Sequence, residues 1–265
     1  MRMMSIASGS SGNCIYIGTD NTHILVDDGI SGKKVIEGLR KLDLAPEDID
    51  AILITHEHND HIGGLGVLER KSMTPVYGTG GTLKYISRCN FLGKMPDGIF
   101  HAVDAGSSFT IKDLTIGTVP ISHDAADPVA YTFESGNRRA GIVTDLGTYD
   151  DSIINAFSGM DVLLVEANHD INMLMTGPYP YPLKQRILGN RGHLSNAACG
   201  QLVGSLLGDK TGHVLLGHLS KENNFAELAY ETVRMEINLT DNEYDAGDFD
   251  IQVARRDIPS DIINF

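Results

Sequence analysis

Apolar positions recur along this chain in two alternating periods, one fitting strands and the other fitting helices. Met3–Ala7 and Cys14–Gly18 read as strands of a hairpin around Ser8-Gly9-Ser10-Ser11-Gly12-Asn13, whose small residues tolerate tight backbone. A strand over Thr22–Asp27 follows, then an amphipathic helix from about Ser31 to Leu42 with Val35, Ile36 and Leu39 on one side. The short run Ala51-Ile52-Leu53-Ile54 predicts a buried strand, and Ile62–Arg70 a helix. Near Phe109–Ile111, Leu114–Ile121, Val129–Phe133 and Ala140–Val143 the pattern predicts successive antiparallel strands. The rest alternates: strand Asp161–Val165, helix Ser195–Leu207, strand His213–Leu216, helix Phe225–Ile237 and strand Phe249–Val253. Helices bracketing strands at both ends of the chain predict an α/β (α+β) fold of four layers, two facing mixed sheets with helices on both outer faces.

Composition narrows this picture. With 265 residues, 42% of them hydrophobic, the chain can bury a large core. No Pro/Ser/Gly linker or charge block divides it, so one domain over 1–265 is expected. Met1–Ser8 lacks the apolar core of a secretory signal and no later run approaches bilayer length, so a cytoplasmic protein with no membrane association is expected. Cys14, Cys89 and Cys199 share no metal or redox spacing and read as reduced fillers. The net charge of −14 disfavours sequence-blind binding of polyanions, although bound divalent cations reverse that charge locally.

The chemistry concentrates in Thr55-His56-Glu57-His58-Asn59-Asp60-His61, four potential ligands within six positions at the end of a buried strand. Extended backbone points His56 and His58 to one side, and the turn that follows can swing Asp60 and His61 towards a second point. That arrangement suits two adjacent cations. It does not suit an HExxH helix, because Glu57 is followed directly by His58.

On this HxHxDH motif the chain resembles the metallo-β-lactamase superfamily, over nearly its whole length. The resemblance implies the αβ/βα sandwich of that superfamily. It also supplies further ligands: His123 after Pro120-Ile121-Ser122, Asp145 after Ile142-Val143-Thr144, and His218 after Leu215-Leu216-Gly217. By this resemblance His56, His58 and His123 hold one metal, Asp60, His61 and His218 the other, and Asp145 bridges them. His23, His101 and His213 match nothing in the pattern.

Antibiotic hydrolysis is disfavoured, because the common zinc enzymes carry a cysteine among the second-site ligands where Asp145 stands in the bridging place here. Val165-Glu166-Ala167-Asn168 and Gly192-His193-Leu194-Ser195 resemble stretches of tRNA 3′-processing endonucleases, which implies a Glu166–His193 pair protonating a leaving oxygen. Ser8–Cys14, Glu166–Asp170, Tyr179–Lys184 and Gly217-His218-Leu219-Ser220 together resemble the WalJ/YycJ branch, also called VicX. Its members are cytoplasmic bacterial proteins regarded as 5′-to-3′ DNA exonucleases connected with repair.

The resemblance implies a dinuclear phosphodiesterase: hydroxide shared by two Zn²⁺ or Mn²⁺ ions, hydrogen-bonded to Asp60 or Asp145, attacks phosphorus while His193 supplies the proton. A small-molecule hydrolase of the same fold, a glyoxalase II-like thioesterase or a lactonase, is the alternative. With no large insertion between Asp145 and His218, single-stranded or end-exposed DNA must be held by loops. Ser195, Lys184, Arg191 and His169 are candidate substrate contacts, with Arg186, Tyr179 and Tyr181 nearby in sequence. No protein partner is indicated.

Overall fold

A computed structural model describes residues 1–265. In chain order the first half holds β1 (Arg2–Ala7), β2 (Cys14–Gly18), β3 (His23–Val26), α1 (Gly32–Arg40), β4 (Ala51–Leu53), α2 (Asn59–Ile62), α3 (Leu65–Ser72), β5 (Val76–Thr79), α4 (Gly80–Ile86) and β6 (Phe100–Val103). Strands β7 (Ser108–Ile111), β8 (Leu114–Pro120), β9 (Val129–Ser135) and β10 (Arg138–Val143) follow, then α5 (Asp151–Phe157), β11 (Val162–Glu166), α6 (Ile171–Thr176) and α7 (Tyr181–Leu188). The last elements are α8 (Asn196–Leu206), β12 (His213–Gly217), α9 (Ala226–Leu239), β13 (Asp250–Val253) and β14 (Ile263–Asn264).

The strands form two seven-stranded mixed sheets, ordered β14-β1-β2-β3-β4-β5-β6 and β13-β12-β11-β10-β9-β8-β7, which is the layered α/β class the periodicity predicts. By contacts the chain divides into two compact units, one of residues 1–120, 125–129 and 255–265, the other of residues 121–124 and 130–254.

In the first unit β1, β2 and β3 are antiparallel, and β3 to β6 run parallel. Met4, Ile6, Tyr16 and Leu25 from the sheet join Val35 and Leu39 of α1 and Leu65 and Leu68 of α3 in one buried cluster. The tail returns to this unit: β14 pairs with β1, and the Ser8 N–H donates to the Arg255 carbonyl.

In the second unit β10, β11, β12 and β13 are parallel. All of β11, Val-Leu-Leu-Val-Glu, is buried, as a central parallel strand covered on both faces requires. Helix α8 lies close against α9 because Gly200 has no Cβ; one placed there would stand 2.9 Å from the Val233 carbonyl oxygen.

The structure adds elements the sequence pattern did not show. Strands β5 and β6 and helix α4 occupy a stretch where Gly80-Gly81 and a largely exposed β6 weaken any period. The expected helix over 62–70 is α3, which starts at Leu65, and a separate single turn, α2, precedes it, with Gly63-Gly64 between the two. A Cβ on Gly64 would fall 1.8 Å from the Ile30 carbonyl oxygen, so the backbone needs glycine there to pass.

Candidate metal centre

His56, Asp145 and His218 each follow the carboxyl end of a strand with a parallel neighbour, β4, β10 and β12, where open α/β sheets generally bind ligands, whereas His123 follows β8, which is antiparallel to β7. In the first unit β4 delivers Ile54, Thr55 and then His56. The segment stays extended, so His56 and His58 share a side as expected, with ring centroids 4.6 Å apart. The chain then turns into α2 and brings the His61 ring to 4.1 Å from that of His56. His61 Nε2 lies 3.5 Å from Asp60 Oδ2.

This geometry is held from behind. Asp27, with a left-handed φ of 61° at the end of β3, accepts from His61 Nδ1 at 2.7 Å and from the Thr55 backbone N–H at 2.9 Å. A histidine whose Nδ1–H is taken by a carboxylate presents Nε2 as its lone-pair donor, the tautomer a cation needs. Burial pushes the Asp27 carboxyl up, opposed by His61 and Thr55. The α2 turn is pinned by two loops, since Asn13 N–H donates to the Asp60 carbonyl and Asp28 N–H to the His61 carbonyl. Glu57 points the other way, accepting from the Ala126 N–H at 2.7 Å and from Thr82 Oγ1 at 3.4 Å.

In the second unit His123 Nδ1 donates to the Gly192 carbonyl at 3.1 Å, and its Nε2 lies 3.7 Å from Asp145 Oδ1. Asp145 follows β10 and His218 follows β12, both in left-handed conformation with φ of 59° and 55°. His218 Nε2 also lies 3.6 Å from Asp145 Oδ1. Donor atoms of Asp145, Glu166, His193 and His218 all fall within 4.8 Å of one another.

Glu166, the last residue of β11, organises this unit's cluster. Its Oε1 accepts from His193 Nδ1 and from His218 Nδ1, both at 2.8 Å, while Oε2 accepts from the Leu146 and Leu194 backbone N–H groups at 3.0 and 3.1 Å. Burial raises its pKa, but the two histidines outweigh that and hold the carboxyl at about 2. Burial likewise pulls the His193 imidazolium down, and the Glu166 and Asp145 charges with the Glu166 hydrogen bond more than offset it, leaving a net upward shift. The His193 side chain is 15% exposed against 1% for His218, so a substrate can reach the former. The pairing expected between Glu166 and His193 is present; the second hold, on His218, left no separate mark in the sequence.

The other sequence candidates have local roles. Lys184 is buried, its ammonium donating to the Met175 and Gly177 carbonyls at 2.7 and 2.8 Å, which fastens α7 to the end of α6. Arg191 Nε donates to the His123 carbonyl at 3.0 Å, and Arg186 pairs with Asp124. Ser195 caps α8 by accepting from the Ala198 N–H. His169 is buried, and burial drops its imidazole to about 4, so it is neutral near pH 7. Tyr181 is exposed and Tyr179 half-buried. His23, His101 and His213 meet Tyr16, Tyr77 and Asp250, away from the clusters. All three cysteines are free thiols.

Sequence reasoning missed Asp27, Thr55 and Asn13 as supports of His61. The signal available was Asp27-Asp28-Gly29 closing an apolar strand, a place where a polar pair seldom serves packing. Asp27→Ala is expected to lower divalent-metal affinity about 10- to 100-fold, read by competition with a chromophoric chelator. Unchanged affinity would show that His61 needs no such hold.

Residues 22–218 match the family described as Beta-lactamase superfamily domain. The exodeoxyribonuclease WalJ of Streptococcus pneumoniae serotype 2 is 42% identical over 228 residues, 86% of this chain and 85% of that protein. The exodeoxyribonuclease YycJ of Bacillus anthracis is 39% identical over 228 residues, 86% of each chain. Among solved structures, Zn²⁺-bound PqqB from Methylobacterium extorquens superposes with a TM-score of 0.72 at 14% identity, covering 98% of this chain and all of that one, a likeness of fold. With two seven-stranded sheets flanked by helices, an HxHxDH motif and relatives matching over most of its length, this chain belongs to the β-lactamase superfamily and, within it, to the WalJ/YycJ branch.

Proposed function

We propose that His56, His58, Asp60, His61, His123, Asp145 and His218 act as one ligand set for two divalent cations, Zn²⁺ or Mn²⁺, and that the chain is a 5′-to-3′ DNA exonuclease. The two relatives named as exodeoxyribonucleases support the substrate class. The observation that carries the reading is Glu166, one buried carboxylate that fixes a ligand histidine and a partly exposed histidine from the same oxygen. A hydrolase binding a small thioester has no need of a second oriented imidazole for its leaving group, because a thiolate departs without a proton. A sugar oxygen does need one.

The donor set fits hard to borderline divalent ions: imidazoles whose Nδ1 is already engaged, together with Asp60 and Asp145. When bound, such ions lower the pKa of water and offset negative charge on phosphate oxygens. Asp60 and Asp145 orient the attacking water through the hydrogen bond a carboxylate accepts. His193, its Nδ1 held by Glu166, carries its transferable proton on Nε2 and delivers it to the departing 3′-oxygen. The released nucleotide then keeps a 5′-phosphate, and so does the shortened strand. Of the candidate substrate contacts, Arg191 is exposed and bonded through Nε to the His123 carbonyl, Ser195 caps α8, Lys184 has committed its ammonium to two carbonyls, and His169 is buried with a neutral imidazole. In this reading residues 1–265 work as one catalytic domain in the cytoplasm, on DNA ends arising in repair. No helix is long and apolar enough to cross a membrane.

A side-by-side assay of the metal-loaded protein on 5′-phosphorylated single-stranded DNA and on S-lactoylglutathione tests this. Mononucleotide release from the DNA is expected, with Mn²⁺ and Zn²⁺ compared in parallel. Hydrolysis of the thioester alone would sink the nuclease reading and favour the small-molecule one, which the acidic surface otherwise suits.

A further inference from the structure

The acidic balance of the chain leaves open how it holds a polyanion, and the first unit contains a place suited to that task. Beyond α4 a cleft of about 520 Å³ is lined by Lys84, Tyr85, Arg88, Phe91 and Ala126 among others. Tyr85 is 50% and Phe91 59% exposed, a cost in apolar surface that neither ring recovers by packing. Lys84 and Arg88 stand four residues apart, both exposed, and neither has an ion-pair partner although acidic residues outnumber basic ones 35 to 21. Single exposed aromatics are ordinary; two at one cleft with two unneutralised cations are not.

The cleft is rigidly tied to the ligand-bearing segment. Thr79 caps α4 and its hydroxyl donates to the Asp127 carbonyl at 2.7 Å, while Thr82 in the first turn of α4 reaches Glu57, the residue between His56 and His58. Ala126, which lines the cleft, donates its N–H to the same Glu57 carboxylate. From Thr82 to Ile86, the last residue of α4, the helical rise is about 6 Å, and Arg88 follows in the turn after the helix. On the other side the turn at Asn90–Leu92 is locked by buried Leu92, whose carbonyl accepts from Arg70 at 2.7 Å, so Phe91 projects from fixed backbone.

We propose that this cleft is a nucleotide subsite for single-stranded DNA. A base stacks on Tyr85 and Phe91, and the adjoining phosphates meet Lys84 and Arg88. Stacking on aromatic faces with cations along the backbone is the sequence-tolerant way to hold an unpaired strand. It also explains how a chain of net charge −14 handles such a substrate: cations are placed locally, and general surface attraction is not required. This subsite rests on the exonuclease reading for its substrate, but it can fail or succeed separately.

The full-length protein is tested with a fluorescent 5′-phosphorylated oligothymidylate, by anisotropy in chelator to prevent cleavage and by initial rates after metal loading. Tyr85→Ala/Phe91→Ala is expected to weaken binding and raise KM about tenfold, with metal content and melting temperature at wild-type values. Lys84→Ala/Arg88→Ala is expected to lower the slope of log affinity against log salt by about 1.4, the share of two phosphates on a single strand. In the wild-type protein, photocrosslinking of an oligonucleotide carrying 5-iododeoxyuridine is expected to label Tyr85 or Phe91, a readout that needs no variant. Affinity and KM within twofold of wild type in the aromatic variant, or crosslinks only elsewhere, would overturn the subsite while leaving DNA hydrolysis standing. Cleft-dependent binding without any DNA cleavage would instead support the subsite and remove the exonuclease.

Discussion

Asp145→Asn is expected to lose DNA hydrolysis by roughly three orders of magnitude or more and to reduce the divalent metal the purified protein retains. The change keeps the size of the side chain and suits the backbone, since asparagine accepts the left-handed φ of 59° that Asp145 adopts. What it removes is the charge. Asp145 Oδ1 lies 3.7 Å from His123 Nε2 and 3.6 Å from His218 Nε2, so one carboxylate faces the outward nitrogens of two imidazoles. Losing an anion there should cost more than the 10- to 100-fold expected for an outer support such as Asp27. Asp145→Ala should act in the same direction with an added stability loss, because alanine tolerates that φ poorly. Metal content by elemental analysis and turnover on 5′-phosphorylated DNA check both variants. Retained activity in Asp145→Asn would take Asp145 out of the ligand set.

His193→Ala is expected to separate chemistry from metal binding. Its metal content should match wild type, while kcat on DNA falls about 10²- to 10⁴-fold, the usual worth of a placed general acid. The pH profile adds a sign that a structural role would not produce. A proton donor must be protonated to act, and Glu166 and Asp145 shift the His193 imidazolium upward. Wild-type kcat should therefore hold on the acid side of that raised pKa and decline as pH rises through it, and the decline should vanish in His193→Ala. A substrate whose leaving group needs no proton, such as a nitrophenyl phosphodiester, should be much less affected by the change. Equal losses on both substrates, or a wild-type alkaline limb persisting in the variant, would remove the general-acid assignment.

The layered fold was legible where strands are buried and helices two-faced. Ala51–Ile54 and Asp161–Val165 are short apolar runs that became β4 and β11 within a residue or two. Illegible was the stretch from Val76 to Val103. Two glycines open α4 there, β6 is mostly exposed, and neither carries the period that burial imposes. Within the candidate centre, the HxHxDH candidate ligands announce themselves because four potential donors crowd into six positions. The residues that orient them do not: Asp27 is 34 positions from His61, and its hydrogen bond exists only once β3 and β4 lie side by side. Glu166 and His193 were readable as a pair by family resemblance, whereas the second hold of Glu166 on His218 depends on the β11–β12 register that sets Glu166 opposite Gly217. The Tyr85/Phe91 cleft went unseen for a similar reason, since α4 and the turn after it must both form before Lys84, Tyr85, Arg88 and Phe91 face one opening.

Elemental analysis of the wild-type protein, purified without added metal and exchanged into chelator-treated buffer, tests the central claim most directly when paired with DNA hydrolysis before and after stripping. The account predicts close to two divalent ions retained per chain, activity lost on stripping, and activity regained on adding Mn²⁺ or Zn²⁺. A protein that keeps no ion and still releases mononucleotides at full rate in chelator would contradict it.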